Sequence, residues 1–277
     1  MLDGATGNPS FGALESQFRN RIGRRVVHLP RTSSTMDDAR ESVKRAERSD
    51  ELHGTVIIAD EQTRGRGRFD RTWDSEPGED ILISVIVCPR PSISGQLTIM
   101  ASLSSALTIE SLTESIVEIK WPNDVLVDGK KICGILAEGS MIANMFVGIL
   151  GIGLNVNRRI DVVESRDYRA TSIRELSGSD ASINRAEVLR VLLEKLNEVY
   201  DFVDKGESIM PDWRDRLTTL GLEVSVSMGT KNGAGEVVSG IAEDVDEFGR
   251  LLIRESSGML KAVSSGEVTM RKSGDSG

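Results

Sequence analysis

The 277-residue sequence is poor in cysteine, histidine and aromatic residues: two Cys, two His, and 4% Phe, Trp and Tyr together. Cys88 and Cys133 lie in apolar surroundings without a CxxC pair or a cluster of histidines. That excludes a disulfide framework and a structural zinc site, and it implies a reducing compartment. Positive charge is also short, since 34 Lys and Arg stand against 43 Asp and Glu for a net charge of -9. The broad attraction on which non-specific binding to DNA or to anionic membranes depends is therefore missing. Met1 to Asn20 contains no basic segment followed by an apolar core, so no secretory signal is read and a cytoplasmic location is expected. The one long uncharged run, Gly139 to Asn157, is broken by Asn144, Asn155, Asn157 and glycines, and it reads as buried sheet and loop rather than a bilayer span.

What is present is enough chain for a full core. Hydrophobic residues make up 39% and charged residues 28%, at a length of one large domain or about two. A short helical segment over Leu14 to Arg21 precedes a strand at Val26-Val27. Ser34-Thr35 then offer N-cap hydroxyls to a helix over Met36 to Arg48, where Met36, Ala39, Val43 and Ala46 recur at helical spacing. Apolar runs at 55–60 and 81–88 predict strands, a helix is predicted over Gly95 to Ile116, and strands follow at 117–120, 124–127, 131–137 and 145–150, with Asp128-Gly129 as a hairpin turn. Asn184 with Glu187 resembles a capping box, and Val188, Leu192, Leu196, Val199 and Val203 line one face of the helix it opens, with Pro211 at its end region. From Leu222 short alternating strands with Gly and Ser turns predict a small β-barrel, closed independently of what precedes it. The boundary falls near Thr219 to Leu222.

Three segments carry chemistry. Between two strands lies a polar loop, residues 61–80, of a length that is usually functional or mobile. Within it, Arg64, Arg66, Arg68 and Arg71 alternate with Gly65 and Gly67 and are flanked by Gln62 and Trp73. Guanidinium forks match carboxylate or phosphate bidentately, and glycine lets backbone amides approach an anion closely. Without an anion the arginines repel one another, so the loop is expected to be mobile until a ligand arrives. Lys120 heads the sequence KWPND at a strand end, where side chains converge on sites in sheet-based domains. Gly151-Ile-Gly-Leu-Asn-Val-Asn157 reads as a glycine-bearing strand end, a weak signal for nucleotide binding by itself.

Taken in order, Ser34-Thr35, QxxGRGR with Arg71 and Trp73, KWPND at 120–124, KxxGIL at 131–136, GIGLNVN at 151–157 and Ala-Thr-Ser at 170–172 resemble the biotin protein ligases, over about residues 26–272. The resemblance implies an α+β fold: a mixed, mainly antiparallel sheet with helices, the biotin/lipoate ligase catalytic domain, over 26–220. It implies an SH3-like β-barrel over 221–277, and an N-terminal extension of residues 1–25. It also implies a two-step reaction in which biotin and ATP with Mg2+ give biotinyl-5′-AMP, after which a lysine of a biotin carboxyl carrier protein domain takes the biotin. Bringing a carboxylate to a phosphate opposes like charges by roughly 4 kcal/mol at 4 Å and an effective dielectric of about 20. A cationic loop offsets that repulsion.

By the same resemblance Ser34, Thr35 and Gln62 contact biotin, and Gly65, Arg66, Gly67 and Arg68 close over biotin and phosphate. Arg71 and Trp73 face the nucleotide, and Lys120 bridges the biotin carboxylate and the α-phosphate. Asn155 contacts ATP or a metal-bound water, or else serves a structural turn. No fixed protein ligand for a metal is implied. Members of the family often have Asn where this chain has Met36 and Gly where it has Asp70, which puts one polar biotin contact and the flexibility of the loop in question. Some members carry an N-terminal DNA-binding module of some 60 residues, for which residues 1–25 leave no room; no DNA or membrane partner is expected, and a homodimer through the catalytic sheet is. The alternatives are a lipoate–protein ligase and, in a different class, a biotin-responsive DNA-binding repressor.

Overall fold

The computed structural model describes residues 11–18, 21–46, 49–142, 145–159, 169–230 and 233–270. In chain order it contains β1 (Arg25–Leu29), α1 (Thr35–Arg45), β2 (Thr55–Ala59), β3 (Ile81–Val87), α2 (Leu97–Thr113), β4 (Glu118–Lys120), β5 (Asp124–Val127), β6 (Lys130–Ile142), β7 (Met145–Leu154), α3 (Ile173–Leu176), α4 (Arg185–Asp204), α5 (Met210–Asp215) and β8 to β12 (Glu223–Thr230, Gly233–Val245, Leu251–Arg254, Leu260–Val263, Glu267–Met270).

The first seven strands form one sheet in the order β1-β2-β3-β7-β6-β5-β4. Only β1 and β2 pair in parallel, so the sheet is mixed and mainly antiparallel, as expected. β2 and β3 are buried along their whole length, because α1 covers one face of the sheet and α2 with α4 the other. An uninterrupted apolar strand such as ILISVIV is what two covered faces require. α2 is buried nearly all round, and the hydroxyls of Ser102, Ser104, Ser105 and Thr108 satisfy themselves on carbonyls three or four residues back in the helix. Asp128 and Gly129, at φ 49° and 69°, make the two-residue turn between β5 and β6.

Several expectations shift. The segment expected as a helix over Leu14 to Arg21 is a 3-10 turn at Phe11–Ser16 that packs Phe11 and Leu14 into the core. Glu187 does not complete a capping box: Asn184 Oδ1 accepts from Ala186 and Glu187 N–H, while the Glu187 carboxylate turns to Arg190. Pro211 lies in the first turn of α5 rather than ending α4. β7 runs on to Leu154, so Gly151 and Gly153 belong to a central strand, not to its frayed end.

β8 to β12 form a separate antiparallel sheet, ordered β11-β10-β9-β8-β12. Its apolar face is not independent of the larger sheet. Val224, Leu251, Ile253 and Val263 belong to the same continuous core as Trp121, Ile99 and Trp213. Trp121 Nε1 donates to the Gly249 carbonyl at 2.9 Å, and the Thr219 hydroxyl accepts the Trp121 N–H at 3.1 Å. Gly249 sits at φ 74°, and a Cβ there would come within 2.5 Å of Ile99. The backbone of the small sheet thus approaches the large domain as closely as a residue without a side chain allows.

Candidate active site

β4, β5, β6 and β7 present one end of the large sheet to the small one, and the Arg-rich loop after β2 crosses the gap. The three enclose a cavity of about 480 Å³. Ser34, Thr35, Gln62, Arg66, Gly67, Arg68, Arg71, Trp73 and Lys120 all line it, so residues far apart in sequence that were singled out separately share one space. Six cationic and two acidic residues stand in its wall, a local excess of positive charge in a chain whose net charge is -9.

The inner end is polar. Ser34 is the residue before α1, and capping was the role expected of its hydroxyl; instead the Oγ makes no cap bond, is buried, and has no hydrogen-bond partner. Gln62 Oε1 accepts from the Thr35 N–H at 2.8 Å and its hydroxyl at 3.2 Å, and the Ser84 hydroxyl donates to Thr35 Oγ1 at 2.8 Å. Met36 is buried against β7, where a Cβ on Gly151 would lie 2.8 Å from its sulfur, so this departure from the family pattern fills the space over Gly151 with a thioether. The Asp70 side chain lies outside the described residues.

Glycines shape the floor. The Trp73 indole lies over Gly134 and Gly153, where a Cβ would stand 2.6 Å and 2.5 Å from the ring, and its buried N–H has no partner. Gly65 lines the groove beside the cavity rather than the cavity itself. A Cβ there would meet the Trp73 carbonyl at 2.5 Å, so Gly65 permits the loop to fold on itself, with Trp73 N–H donating to the Gly65 carbonyl at 3.0 Å.

The loop cations are held by different partners. Arg66 pairs with Asp37 on α1 at 3.0 Å, Arg68 donates to Asn123 Oδ1 at 2.9 Å, and Arg71 pairs with Glu267 on β12. Burial pushes the Arg68 guanidinium below its ordinary value, with Asp124 and Glu267 opposing the shift; a guanidinium stays charged in a protein nonetheless.

Sequence reasoning missed two cations and an acid. Lys131 lines the cavity with its ammonium 2.6 Å from Asp124 Oδ1 and 5.4 Å from the centre of the Trp73 ring. Its signal was present, since Lys131 opens the KxxGIL motif. Arg169, just before Ala-Thr-Ser, also lines the cavity, as does Glu267, for which the sequence held no sign. Asn155, in contrast, is outside the lining. It is buried, donates to the Thr171 carbonyl at 2.9 Å and accepts from Arg158 at 2.5 Å, so its amide is used inside the protein. Among the described residues no three His, Cys, Asp or Glu side chains gather into a metal site, and no helix is long and apolar enough to cross a membrane.

Comparison with known proteins accounts for both sheets. Residues 28–155 match the model of the Biotin/lipoate A/B protein ligase family, and residues 222–271 match that of the Biotin protein ligase C terminal domain. The Biotin--[acetyl-CoA-carboxylase] ligase of Mycobacterium tuberculosis is 34% identical over 251 residues, which cover 88% of this chain and 88% of that protein. The chain belongs to the biotin protein ligase family. The Bifunctional ligase/repressor BirA of Bacillus spizizenii is 34% identical over 256 residues, covering 88% of this chain and 74% of its own. The structure of the biotin protein ligase from Aquifex aeolicus in complex with biotin and ATP superposes with a TM-score of 0.70 at 30% identity, over 90% of this chain and all of that one.

Proposed function

We propose that this member of the family attaches biotin to a lysine of a biotin carboxyl carrier protein domain by way of biotinyl-5′-AMP, with MgATP as the second substrate. One observation carries the reading: a cavity polar at its inner end, where the Ser34 hydroxyl is buried without a partner, and cationic at its mouth. Buried polar groups are nearly always paired, so an orphaned hydroxyl on a cavity wall marks the place of a ligand atom. The ureido ring of biotin carries two N–H donors and a carbonyl, which Ser34, Thr35 and Gln62 are suited to pair. The dithiolane of lipoate carries none, and the polar end would be wasted on it.

In this reading the biotin carboxylate points outward to Lys131, Arg66 and Arg68, where the α-phosphate of ATP must also come. Lys131 takes the central place that the family resemblance gave to Lys120. Asp124 and the Trp73 face hold its ammonium in a partly desolvated position, and a charge fixed beforehand stabilises a developing negative charge without reorganisation. Among the described residues Lys120 has no ion-pair partner, and in this reading it reaches the phosphates. Arg71, Arg169 and the Trp73 ring serve the nucleotide side. The carboxylate oxygen attacks the α-phosphorus, pyrophosphate leaves, and the neutral amine of the carrier lysine then attacks the acyl carbon and displaces AMP. The name of the M. tuberculosis relative supports acetyl-CoA carboxylase as the source of the carrier domain. Biotin-dependent exchange of pyrophosphate into ATP, run beside lipoate, tests the assignment: exchange with biotin alone is expected, and equal rates with the two acids would overturn it.

A further inference from the structure

Where β3 begins and β7 ends lies a set of buried charges that none of these roles employs. Asp80, just ahead of β3, is fully buried. Its Oδ1 accepts the Val156 N–H at 3.1 Å, and its Oδ2 lies 3.2 Å from Arg158 Nε in an ion pair in which neither of those two atoms has a hydrogen-bond partner. From there the contacts run without a break toward the cavity. Arg158 donates to Asn155 Oδ1 at 2.5 Å, and the Asn155 amide donates to the Thr171 carbonyl at 2.9 Å. The Thr171 N–H donates to the Lys131 carbonyl at 2.9 Å, and the Lys131 N–H to the Arg169 carbonyl at 2.8 Å. Lys131, on β6, and Arg169, in the segment beside it, are both cations of the cavity wall.

We propose that Asp80 and Arg158 are positioning residues for ATP: through Asn155 and Thr171 their ion pair fixes the backbone that delivers Lys131 and Arg169 to the polyphosphate. The inference rests on the adenylation reading above. A buried ion pair is a poor source of stability, because desolvation consumes most of its attraction, and an apolar pair of similar volume would serve a core as well. What the charged pair adds is direction, since Arg158 must face Asp80 to be tolerated and in doing so holds Asn155.

The pair also has a switch built in. Burial pushes the Asp80 carboxyl up to about 6, with Arg158, the Val156 N–H and Arg185 opposing and Glu79 adding to the shift. Arg185 in turn donates to the Asp80 carbonyl and to Asp60, which His28 faces from β1. As the pH falls through about 6 the carboxyl takes up a proton and Arg158 loses its counter-charge. The stability contribution of the same group has the opposite sign: with a folded value above the ordinary one, it favours the fold at low pH and is lost as the pH rises toward 6 and beyond. Acidification therefore helps this group's share of stability while it weakens nucleotide binding, a split that a merely structural residue does not produce.

The test is calorimetric titration of the whole protein with the non-cleavable α,β-methylene analogue of ATP and Mg2+ between about pH 5 and about pH 8. Wild-type affinity is expected to fall roughly tenfold toward acid, and Asp80→Asn and Arg158→Met to bind roughly tenfold more weakly throughout with the acid limb abolished. Arg158→Lys, which keeps the charge, recovers part of the loss. Wild-type affinity in Asp80→Asn or Arg158→Met near pH 7.5, or an acid limb that persists in Asp80→Asn, overturns the proposal. Should Asp80→Asn fail to fold, Arg158→Met and the wild-type acid limb decide. Biotin-dependent exchange reports on the adenylation reading separately. Exchange with affinity indifferent to Asp80 sinks this inference alone, and Asp80-dependent affinity without exchange sinks that reading alone.

Discussion

The Arg-rich loop and the β6–β7 pair face each other across one cavity, yet they are held in place by different physics. The base of the loop is tied by backbone hydrogen bonds from Thr63 and Arg64 to the Thr32 and Ser33 carbonyls, but its cations are tied by side chains: Arg66 to Asp37, Arg68 to Asn123, Arg71 to Glu267, most of these partners half-exposed. Such pairs are worth about 0–1 kcal/mol each and weaken with salt. The floor is tied by an unbroken antiparallel ladder that sets Gly134 opposite Gly153 and Leu136 opposite Gly151. A slip of one residue there would turn every side chain to the other face, so its register is firmly specified. Shape is thus written into the rigid side of the cavity, and half of its cations, Arg66, Arg68 and Arg71, into the side that is easily moved. Lys120 and Lys131 are cations mounted on the rigid side.

That contrast can be broken at graded cost. Lys131→Ala removes the fixed charge and is expected to slow single-turnover formation of biotinyl-AMP by about 100- to 1000-fold with the fold intact. A smaller loss than that of Lys120→Ala would return the central position to Lys120. Gly153→Ala pushes a methyl group into the Trp73 indole, and overpacking of about 1–3 kcal/mol predicts a 5- to 150-fold rise in the KM for ATP, whose side of the cavity the indole serves; an unchanged KM would mean that the indole moves aside freely. Lys120→Ala, which removes a cation without an ion-pair partner among the described residues, should cost about tenfold in the KM for ATP, in line with about 1.5 kcal/mol for one charged contact. The smallest effect is reserved for the movable side. Glu267→Gln is expected to lower stability by less than about 1 kcal/mol while tryptic cleavage at Arg64 to Arg71 in the ligand-free protein quickens a few-fold and biotin with MgATP suppresses it. If the cleavage rate is the same with and without Glu267, the small sheet does not restrain the loop.

The order of elements and the residues of the loop were legible in the sequence because both are local: β-branched runs, a two-residue turn, alternating Arg and Gly. What escaped it depends on encounters between distant segments. Glu267 matters only because β12 folds back beside the loop, and nothing in EVTM announces that. Ser34 reads as a helix cap by spacing, but its hydroxyl is withheld from the helix and left facing the cavity wall. Lys131 was in view as part of a motif, and it was passed over because a strand alternates faces and the sequence does not say which face meets the cavity. Asp80 was invisible as a buried group, since an acid between Glu79 and an apolar strand resembles any loop residue until its burial is known.

The seam between the two sheets has a consequence for biosynthesis. Trp121 and the apolar side of α2 and α5 are covered by residues after Gly221, which are synthesised after the large domain. At about 5–20 residues per second, synthesis of β8 to β12 takes several seconds, during which the emerging large domain carries an uncovered indole and an unfinished cavity rim. The nascent enzyme therefore passes through an interval of exposed apolar surface and incomplete substrate enclosure, and it is closed against both by the arrival of the same five strands.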